Sequence, residues 1–384
     1  MPQVFAAPEL DSVELEVLGM INELRDTLSS RMSHKPRQWG GSLRRMSFAR
    51  AVQGSNSIEG YEASLDDVVA AVDDEPTAVA PEETRLALAG YRDAMTYVLQ
   101  VSEDSAAVVD EGLLKSLHFM MLKHRLDKGS GLWRPGEIYV RRDDTGDLVY
   151  KGPDADDVPS LVQAALRDLE QSDAPVLVRA AMAHLNLVMI HPFRDGNGRM
   201  ARCLQTLILA RERIVAPTFS SIEEYLGRNT ESYYDVLATV GEGVWNPGND
   251  ARPWLRYCLT AHYHQARTML RRIQEVEGLY NECFALAESK GLPERTAGPL
   301  AEAAHGFRLR NSSYRAVVEI TSGEELSDLT ASRDLRAIVE AGLFEAVGER
   351  RGRYYLGAEV LFEIYRRVRV GREPKDRSDP FERA

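Results

Sequence analysis

The stretch His191-Pro192-Phe193-Arg194-Asp195-Gly196-Asn197-Gly198-Arg199-Met200-Ala201-Arg202 places a titratable base, a carboxylate, a glycine-flanked turn and two arginines at helical spacing within twelve residues. The preceding run, Val176 to Ile190, is largely apolar but too short to span a bilayer, which predicts a buried helix. Apolar residues at helical spacing follow: Met200, Cys203, Leu204, Leu207 and Ile208. The stretch is therefore predicted to be a loop that ends at a helix N-terminus. The free N–H groups and positive dipole of such an end favour an anion.

The first half of this signature loop (residues 191–202) carries groups suited to proton transfer and metal binding. His191 follows a rigid helix, and a positioned imidazole that takes a proton from a hydroxyl typically contributes about 10²–10⁴-fold to a rate. Asp195 is a hard oxygen donor of the kind that Mg²⁺ accepts together with phosphate oxygens. His184 lies seven residues before His191. A hydrogen-bonded core histidine is favoured there over a metal-binding pair.

The second half of the loop carries groups suited to phosphate. Gly196 and Gly198 let the backbone approach anionic oxygens, and Asn197 can donate from the same turn. Arg199 and Arg202 lie three residues apart and so share one helical face, where their planar guanidinium groups suit terminal phosphates. The structural alternative is a capped helix start with a solvated arginine pair.

Length and composition bound the class of protein. A chain of 384 residues with 44% hydrophobic and 28% charged residues should form two or three globular domains. The net charge of −12 excludes a chain built throughout to coat nucleic acid. The three scattered cysteines argue against a disulfide framework or zinc ribbon. Without a signal-peptide pattern or an apolar run of about eighteen residues, we expect a cytoplasmic protein that does not contact membranes.

Hydrophobic periodicity predicts a mainly α fold, interrupted by one early hairpin. An acidic, proline-containing linker spans Asp73 to Pro81, and the long helical pattern from Pro253 to Glu288 has a predicted break near Gly278. The chain divides into an N-terminal helical region, a catalytic domain, a connecting helix and a C-terminal module with a polar tail, at residues 1–105, 106–265, 266–290 and 291–384.

A β-hairpin is predicted between residues 133 and 151. Ile138-Tyr139-Val140 and Leu148-Val149-Tyr150 flank Asp144-Thr145-Gly146, which is a turn signal between two short strands. The tip is polar, with Arg141, Arg142, Asp143 and Asp144. It suggests contacts with a polar partner, although a purely structural hairpin remains the alternative.

The C-terminal module is predicted to be a winged helix. Helical patterns at Ser312–Ile320 and Ala331–Glu340 precede a hairpin with arginines at positions 350, 351 and 353. Ser332, Arg333 and Arg336 would be available to a DNA groove, so residues 310–356 are a candidate DNA-binding surface. The alternative is a protein-interaction or dimerisation module, which would also suit a homo-oligomer.

The signature loop resembles the Fic-family motif, His-Pro-Phe-x-[Asp/Glu]-Gly-Asn-Gly-Arg-x-x-Arg, at every specified position. The resemblance extends from about Glu111 to Leu237 and implies a Fic helical core with a small β-hairpin flap. It also implies an adenylyltransferase that uses ATP and Mg²⁺ to transfer AMP to a Ser, Thr or Tyr hydroxyl of a target protein. His191 would be the base, Asp195 the metal ligand, and the flap (residues 133–151) would dock the target as an added strand.

An upstream segment, Ser55-Asn56-Ser57-Ile58-Glu59-Gly60, resembles the inhibitory motif of the same family, [Ser/Thr]-x-x-x-Glu-[Gly/Asn]. This placement is similar to the subclass whose inhibitory helix precedes the core. Glu59 would pair with Arg202 and occupy the place of the ATP γ-phosphate. By resemblance, the same glutamate would also support removal of AMP. An ordinary exposed glutamate before a helix-ending glycine is the alternative.

The sequence is therefore compatible with three functions. The leading hypothesis is an auto-inhibited protein adenylyltransferase, and the alternatives are a Doc-like protein kinase and a DNA-binding regulator whose Fic core senses nucleotide. Tyr233 and Tyr234 resemble the family's Tyr-Tyr segment and are candidates for adenine contacts.

Overall fold

The computed structural model describes residues 2–34, 39–75, 80–141, 146–211, 221–349 and 352–384. Two predicted polar tips lie outside the described residues. They are Arg142, Asp143 and Asp144 of the first hairpin, and Arg350 and Arg351 of the second.

The N-terminal region consists of helices packed on the following core, α1 (Ser12–His34), α2 (Gly40–Ser57), α3 (Leu65–Val72), α4 (Glu82–Ser102) and α5 (Glu111–Leu122). Side-chain caps stabilise the starts of α3 and α5. Ser64 accepts a hydrogen bond from the Asp67 N–H, and Asp110 accepts one from the Leu113 N–H. After α2, Gly60 adopts a φ of +82°, which a side chain would disfavour. The predicted end of the second helix at this glycine is therefore close to the observed one.

The central region contains α6 (Val158–Gln171), α7 (Val176–Ile190), α8 (Asn197–Arg211), α9 (Glu223–Arg228) and α10 (Thr230–Gly241). Helices α7 and α8 flank the signature loop and are buried along nearly their whole length. That burial on all sides explains why the sequence before the loop is an apolar run with little amphipathic pattern. The predicted helix–loop–helix arrangement is confirmed.

The flap is an antiparallel pair of strands, β1 (Tyr139–Arg141) and β2 (Leu148–Lys151), with an irregularity in register after Val140. Lys151 also forms a parallel bridge with Val244. The Lys151 N–H donates to Gly243 O at 2.9 Å, and Lys151 O accepts from the Trp245 N–H at 2.9 Å. The predicted hairpin is confirmed, and its second strand is tied to the loop that follows α10.

Helix α11 (Arg252–Ser289) is continuous, so the predicted break near Gly278 is wrong. A β-carbon on Gly278 would stand 3.3 Å from Val368 Cγ1, so the glycine allows a helix of the C-terminal module to pack closely there. A single glycine inside a helix costs only about 1 kcal/mol, which the tertiary packing offsets.

The C-terminal module contains α12 (Ala297–Ala304), α13 (Asn311–Ser322), α14 (Asp328–Glu340), β3 (Phe344–Val347), β4 (Tyr354–Gly357) and α15 (Glu359–Val370). A hydrophobic cluster between Leu279 and Ile364 forms its own core. The predicted order of two helices followed by a hairpin is confirmed, while the winged-helix assignment stays an interpretation. Within the described ranges, none of the helices combines the length and apolar character needed to cross a membrane.

Candidate active site

His191 ends α7 in a left-handed conformation, with a φ of +51°. Its N–H donates to Leu187 O at 3.0 Å, and its Nδ1 lies 3.2 Å from Val188 O. Because a carbonyl oxygen only accepts, we assign the proton to Nδ1, which leaves the Nε2 lone pair available as a base. Such a backbone conformation costs about 1–3 kcal/mol for a residue with a side chain and persists only where its surroundings enforce it.

Burial lowers the pKa of His191 to about 4 because desolvation disfavours the imidazolium form. The Val188 carbonyl opposes this shift, and the Arg134 guanidinium adds to it. Glu59 also acts against the shift through its negative charge. The imidazole is therefore neutral at physiological pH, which is the state that a general base needs.

The turn of the signature loop is closed by Asn197. Its Oδ1 accepts from the Phe193 N–H at 2.9 Å, and its Nδ2 donates to Phe193 O at 3.0 Å. The sequence assigned this amide to a phosphate, whereas the structure engages it within the loop. The Asn197 N–H at the start of α8 is the part of this residue that faces an anion in a helix-terminus site.

Gly196 and Gly198 are required for different reasons. Gly196 has a φ of +73°, and a β-carbon on it would approach Leu122 Cδ1 to 2.8 Å. Gly198 lies in the first turn of α8, where a β-carbon would approach Glu59 Oε1 to 2.5 Å. Gly196 therefore shapes the loop, and Gly198 leaves room for a carboxylate beside α8.

Arg199 and Arg202 are each 1% exposed, yet their guanidinium groups are incompletely paired. Arg199 Nε and Nη1 and Arg202 Nη1 have no hydrogen-bond partner among the described residues. A buried charged donor without a partner is costly, so these atoms are suited to bind an anionic acceptor. We call the space bounded by these two guanidinium groups and the start of α8 the anion site.

Glu59 reaches the anion site from the turn after α2. Its Oε1 lies 2.7 Å from Arg202 Nη2. Ser55 binds the same guanidinium through two hydrogen bonds. Arg202 Nε donates to Ser55 Oγ at 2.8 Å, and Arg202 Nη2 donates to Ser55 O at 2.9 Å. Burial opposes the charged form of Arg202, but the Glu59 carboxylate, with smaller contributions from Tyr233 and Tyr91, more than compensates and raises the pKa of Arg202 above its usual value.

Tyr233 and Tyr234 lie next to this arrangement. The Tyr233 ring centre lies 5.9 Å from Arg202 Cζ, and its hydroxyl lies 3.0 Å from His184 Nε2. The Tyr234 hydroxyl donates to Ile58 O at 3.0 Å, just before Glu59. His184 is fully buried and also pairs with a glutamine, which confirms the predicted core histidine. Tyr233 therefore lies against the arginine and Tyr234 contacts the segment that carries Glu59, while the predicted contact of both tyrosines with adenine stays a prediction.

Asp195 fits a role as a metal ligand. Its side chain is 32% exposed, and its Oδ1 accepts from the Gly196 N–H at 2.7 Å and lies 3.9 Å from Arg199 Nη2. Among the described residues no group of three or more His, Cys, Asp or Glu side chains could hold a metal alone. A cation here would need oxygens from a bound phosphate in addition to this carboxylate, which is the way that proteins usually bind Mg²⁺.

Two positioning residues escaped the sequence analysis. The first is His118, which stacks on Phe193 with ring centroids 3.7 Å apart. Its Nε2 donates to Asp195 O at 2.9 Å, and its Nδ1 accepts from the Gly131 N–H at 2.8 Å. Arg134 donates to the carbonyl of His191. A histidine among the inward-facing apolar positions of α5 could have signalled the first, but no local pattern marks the second.

Comparison with known proteins assigns this arrangement to a family. Residues 108–209 match the family model described as Fic/DOC. The chain is 27% identical over 265 residues to a protein adenylyltransferase Fic from Nematostella vectensis, covering 66% of this chain and 55% of that protein. It is 31% identical over 196 residues to a protein of the same name from Culex quinquefasciatus, covering 50% and 34%. This chain thus spans about half or less of these curated relatives.

Solved structures agree on the fold. A Fic family protein from Desulfovibrio desulfuricans G20 superposes with a TM-score of 0.58 at 23% identity, covering 92% of this chain and 98% of that one. Fic-1 from C. elegans superposes with a TM-score of 0.51 at 20% identity, covering 67% and 72%. The helical core with its flap and signature loop is a Fic fold. Residues 108–209 of this chain are therefore a Fic domain of the Fic/DOC family.

Proposed function

We propose that this chain is a protein adenylyltransferase, which transfers AMP from ATP to a hydroxyl group of a protein. The observation that carries the proposal is the buried pair Arg199 and Arg202, whose unpaired guanidinium atoms lie beside a helix N-terminus. A polyphosphate supplies the acceptors that these atoms lack. The names of the relatives from Nematostella and Culex agree with this proposal.

His191 would act as the general base. Its Nε2 takes the proton of the acceptor hydroxyl, and the hydroxyl oxygen forms a bond to the α-phosphorus of ATP. The bond from that phosphorus to the α–β bridging oxygen breaks, and pyrophosphate leaves with the electron pair. Arg199 and Arg202 would hold the terminal phosphates, so that most of the rate enhancement comes from positioning and charge stabilisation.

Asp195 would hold Mg²⁺ together with phosphate oxygens of ATP. When bound, the ion offsets the negative charge of the leaving pyrophosphate. The remaining lone pairs of the partly exposed carboxylate support this role.

The flap would dock the acceptor segment. Among the described residues β1 pairs only with β2, whereas β2 also contacts Val244, so β1 offers the more open edge. An added strand would use main-chain hydrogen bonds for register and side-chain pockets for selectivity. Tyr139 is 43% exposed on β1 and is available for such a contact.

Glu59 would inhibit the enzyme in cis by occupying part of the anion site. Its 2.7 Å contact with Arg202, supported by Ser55, competes with a phosphate oxygen for the same guanidinium. ATP that binds beside this carboxylate would be displaced, and its α-phosphorus would be misaligned. The same carboxylate could position a water molecule for removal of AMP, so a reverse hydrolytic activity is part of the proposal.

The test is labelling of protein by Glu59→Gly with ATP carrying label in either the α- or the γ-phosphate. We expect α-label on protein, more than in the wild type, and none with His191→Ala. Glu62→Gly is the matched control because Glu62 is an exposed glutamate three residues away. Transfer of γ-label would identify a kinase. If neither label appears on any protein, the proposal of a transferase is rejected.

A DNA-binding regulator is the second candidate, and one observation favours it. Ser332, Arg333 and Arg336 are all exposed on α14, where they form a polar face directed away from the module core. The full chain is expected to retard mixed-sequence DNA at low salt, and Arg333→Ala with Arg336→Ala should weaken that binding. No retardation by the full chain at low salt would reject this candidate.

A further inference from the structure

Arg134 uses its whole guanidinium group on backbone carbonyls. Nε donates to His191 O at 2.9 Å, Nη1 to Gly136 O at 2.5 Å, and Nη2 to Pro153 O at 2.5 Å. Its own N–H donates to Pro192 O at 2.8 Å. The residue is 3% exposed. Among the described residues no carboxylate lies within ion-pair distance of it, so this buried cation is held by carbonyl dipoles.

The three acceptors belong to parts of the fold with different tasks. Gly136 precedes β1 and Pro153 follows β2, so these two carbonyls stand at the two ends of the flap. His191 is the proposed base, and its backbone has the left-handed conformation described above. A single planar group therefore connects both ends of the flap with the backbone of the base.

We propose that Arg134 is a positioning residue that fixes the flap and the catalytic histidine in one geometry, so that an acceptor hydroxyl docked on the flap meets His191 Nε2. The inference rests on the proposed transferase function, because only a reaction at a docked hydroxyl requires this alignment. The hydrogen bonds of the Arg134 guanidinium go to backbone carbonyls, and none of them goes to Arg199 or Arg202 of the anion site.

Arginine suits this position better than lysine. Three nitrogens in one plane can reach three carbonyls that diverge, whereas an ammonium group is one point with three hydrogens. The Nε bond to His191 O also acts next to the Nδ1 contact with Val188 O, which sets the tautomer of the base. Loss of the three hydrogen bonds from the guanidinium should therefore increase the mobility of both flap ends and of the His191 imidazole.

The experiment compares the full-length chain with Arg134→Lys and Arg134→Met, and uses Arg167→Lys as the matched control at an exposed arginine of α6. Hydrogen exchange is followed at the amides of Lys151 and Gly152, which are bonded to Gly243 and Ile138 at the base of the flap. Nitrogen-15 spectra report the tautomer of His191. Neither measurement depends on catalysis.

We expect both Arg134 variants to raise the exchange rates of these two amides at least tenfold and to give His191 a mixture of tautomers. In the Glu59→Gly background, the transfer rate at saturating ATP should fall at least tenfold while the KM for ATP changes less than threefold. The transfer rate should fall more than the KM changes because the variants keep Arg199 and Arg202, which would bind ATP. Arg167→Lys should behave like the wild type in every measurement.

Wild-type exchange rates and a wild-type tautomer in Arg134→Lys would overturn the proposal, because that variant keeps the charge but lacks the planar guanidinium group. If Arg134→Met does not fold, Arg134→Lys decides alone. If no variant transfers AMP, the proposed function fails, while the exchange and tautomer data still decide whether Arg134 couples the flap to His191.

Discussion

The Oε1 atom of Glu59 lies 2.5 Å from the point where a β-carbon on Gly198 would stand. The glycine that opens the first turn of α8 to a phosphate therefore also admits the carboxylate that would compete with that phosphate. The same virtual β-carbon would lie 3.0 Å from Arg202 Nη1. Substitution at this one glycine should consequently disturb the Glu59–Arg202 pair without removing either partner.

Gly198→Ala is expected to increase labelling of protein from α-labelled ATP. The methyl group must push the Glu59 carboxylate away from Arg202, and each 1.4 kcal/mol of weakened pairing releases about tenfold more active enzyme. The rate is measured at saturating ATP, because a methyl group at the anion site also weakens nucleotide binding. In the Glu59→Gly background the same substitution should give no further increase. An increase of equal size in both backgrounds would contradict the mechanism.

Ser55→Ala should destabilise the fold by about 1–3 kcal/mol, because it leaves the buried Arg202 Nε without its acceptor. Urea denaturation at neutral pH measures the loss. Ser57→Ala is the control on the same helix, since the half-buried Ser57 hydroxyl contacts the carbonyl of Gly54. A loss in Ser55→Ala no greater than in Ser57→Ala would show that Arg202 does not depend on this hydroxyl.

Local sequence patterns anticipated the elements around the site. The apolar run before His191 and the helical spacing after Met200 predicted two helices and a loop between them, because burial and periodicity are properties of neighbouring residues. The contact between Glu59 and Arg202 joins residues 143 positions apart. It was predicted from the motif resemblance, since no local pattern specifies such a pair.

The parts that sequence could not supply depend on backbone groups that every residue carries. The carbonyls that receive Arg134 could belong to any residue, so nothing in the composition identifies them. Asn197 is similar, because its amide suits a phosphate or a peptide group equally well, and the observed partner is Phe193. The break predicted at Gly278 was wrong because this glycine allows close packing against α15, while α11 stays continuous.

Acidification below neutral pH should destabilise the fold. Burial lowers the pKa of His118 and His191 to about 4, and of His184 and His262 to about 3, below the value of about 6.5 expected when unfolded. The unfolded chain therefore binds more protons in this window, and stability falls as the pH falls from about 6.5 to about 4. Burial raises the pKa of Glu223 to about 7, which acts in the opposite direction.

Urea denaturation at several pH values between neutrality and about pH 5 tests this prediction, because the four histidines outnumber the one glutamate and a net loss of stability is expected. His118→Phe isolates one contribution. This variant should lose less stability on acidification than the wild type, although it starts lower because it lacks the bonds to Asp195 O and the Gly131 N–H. A wild-type stability that rises on acidification would contradict the assignment of neutral buried histidines.

The rate of AMP transfer by Glu59→Gly should change little with pH from neutrality down to about pH 5, because a general base works in its neutral form and that of His191 persists to low pH. The pKa of His191 is about 4 when Glu59 is present, and the carboxylate raises it. Its removal should therefore move the acid limb of the profile to lower pH. Single-turnover rates with α-labelled ATP, measured before acid unfolding sets in, give the profile. An acid limb centred near pH 6.5 would mean that the imidazole titrates as it does in water and that its burial does not govern the reaction.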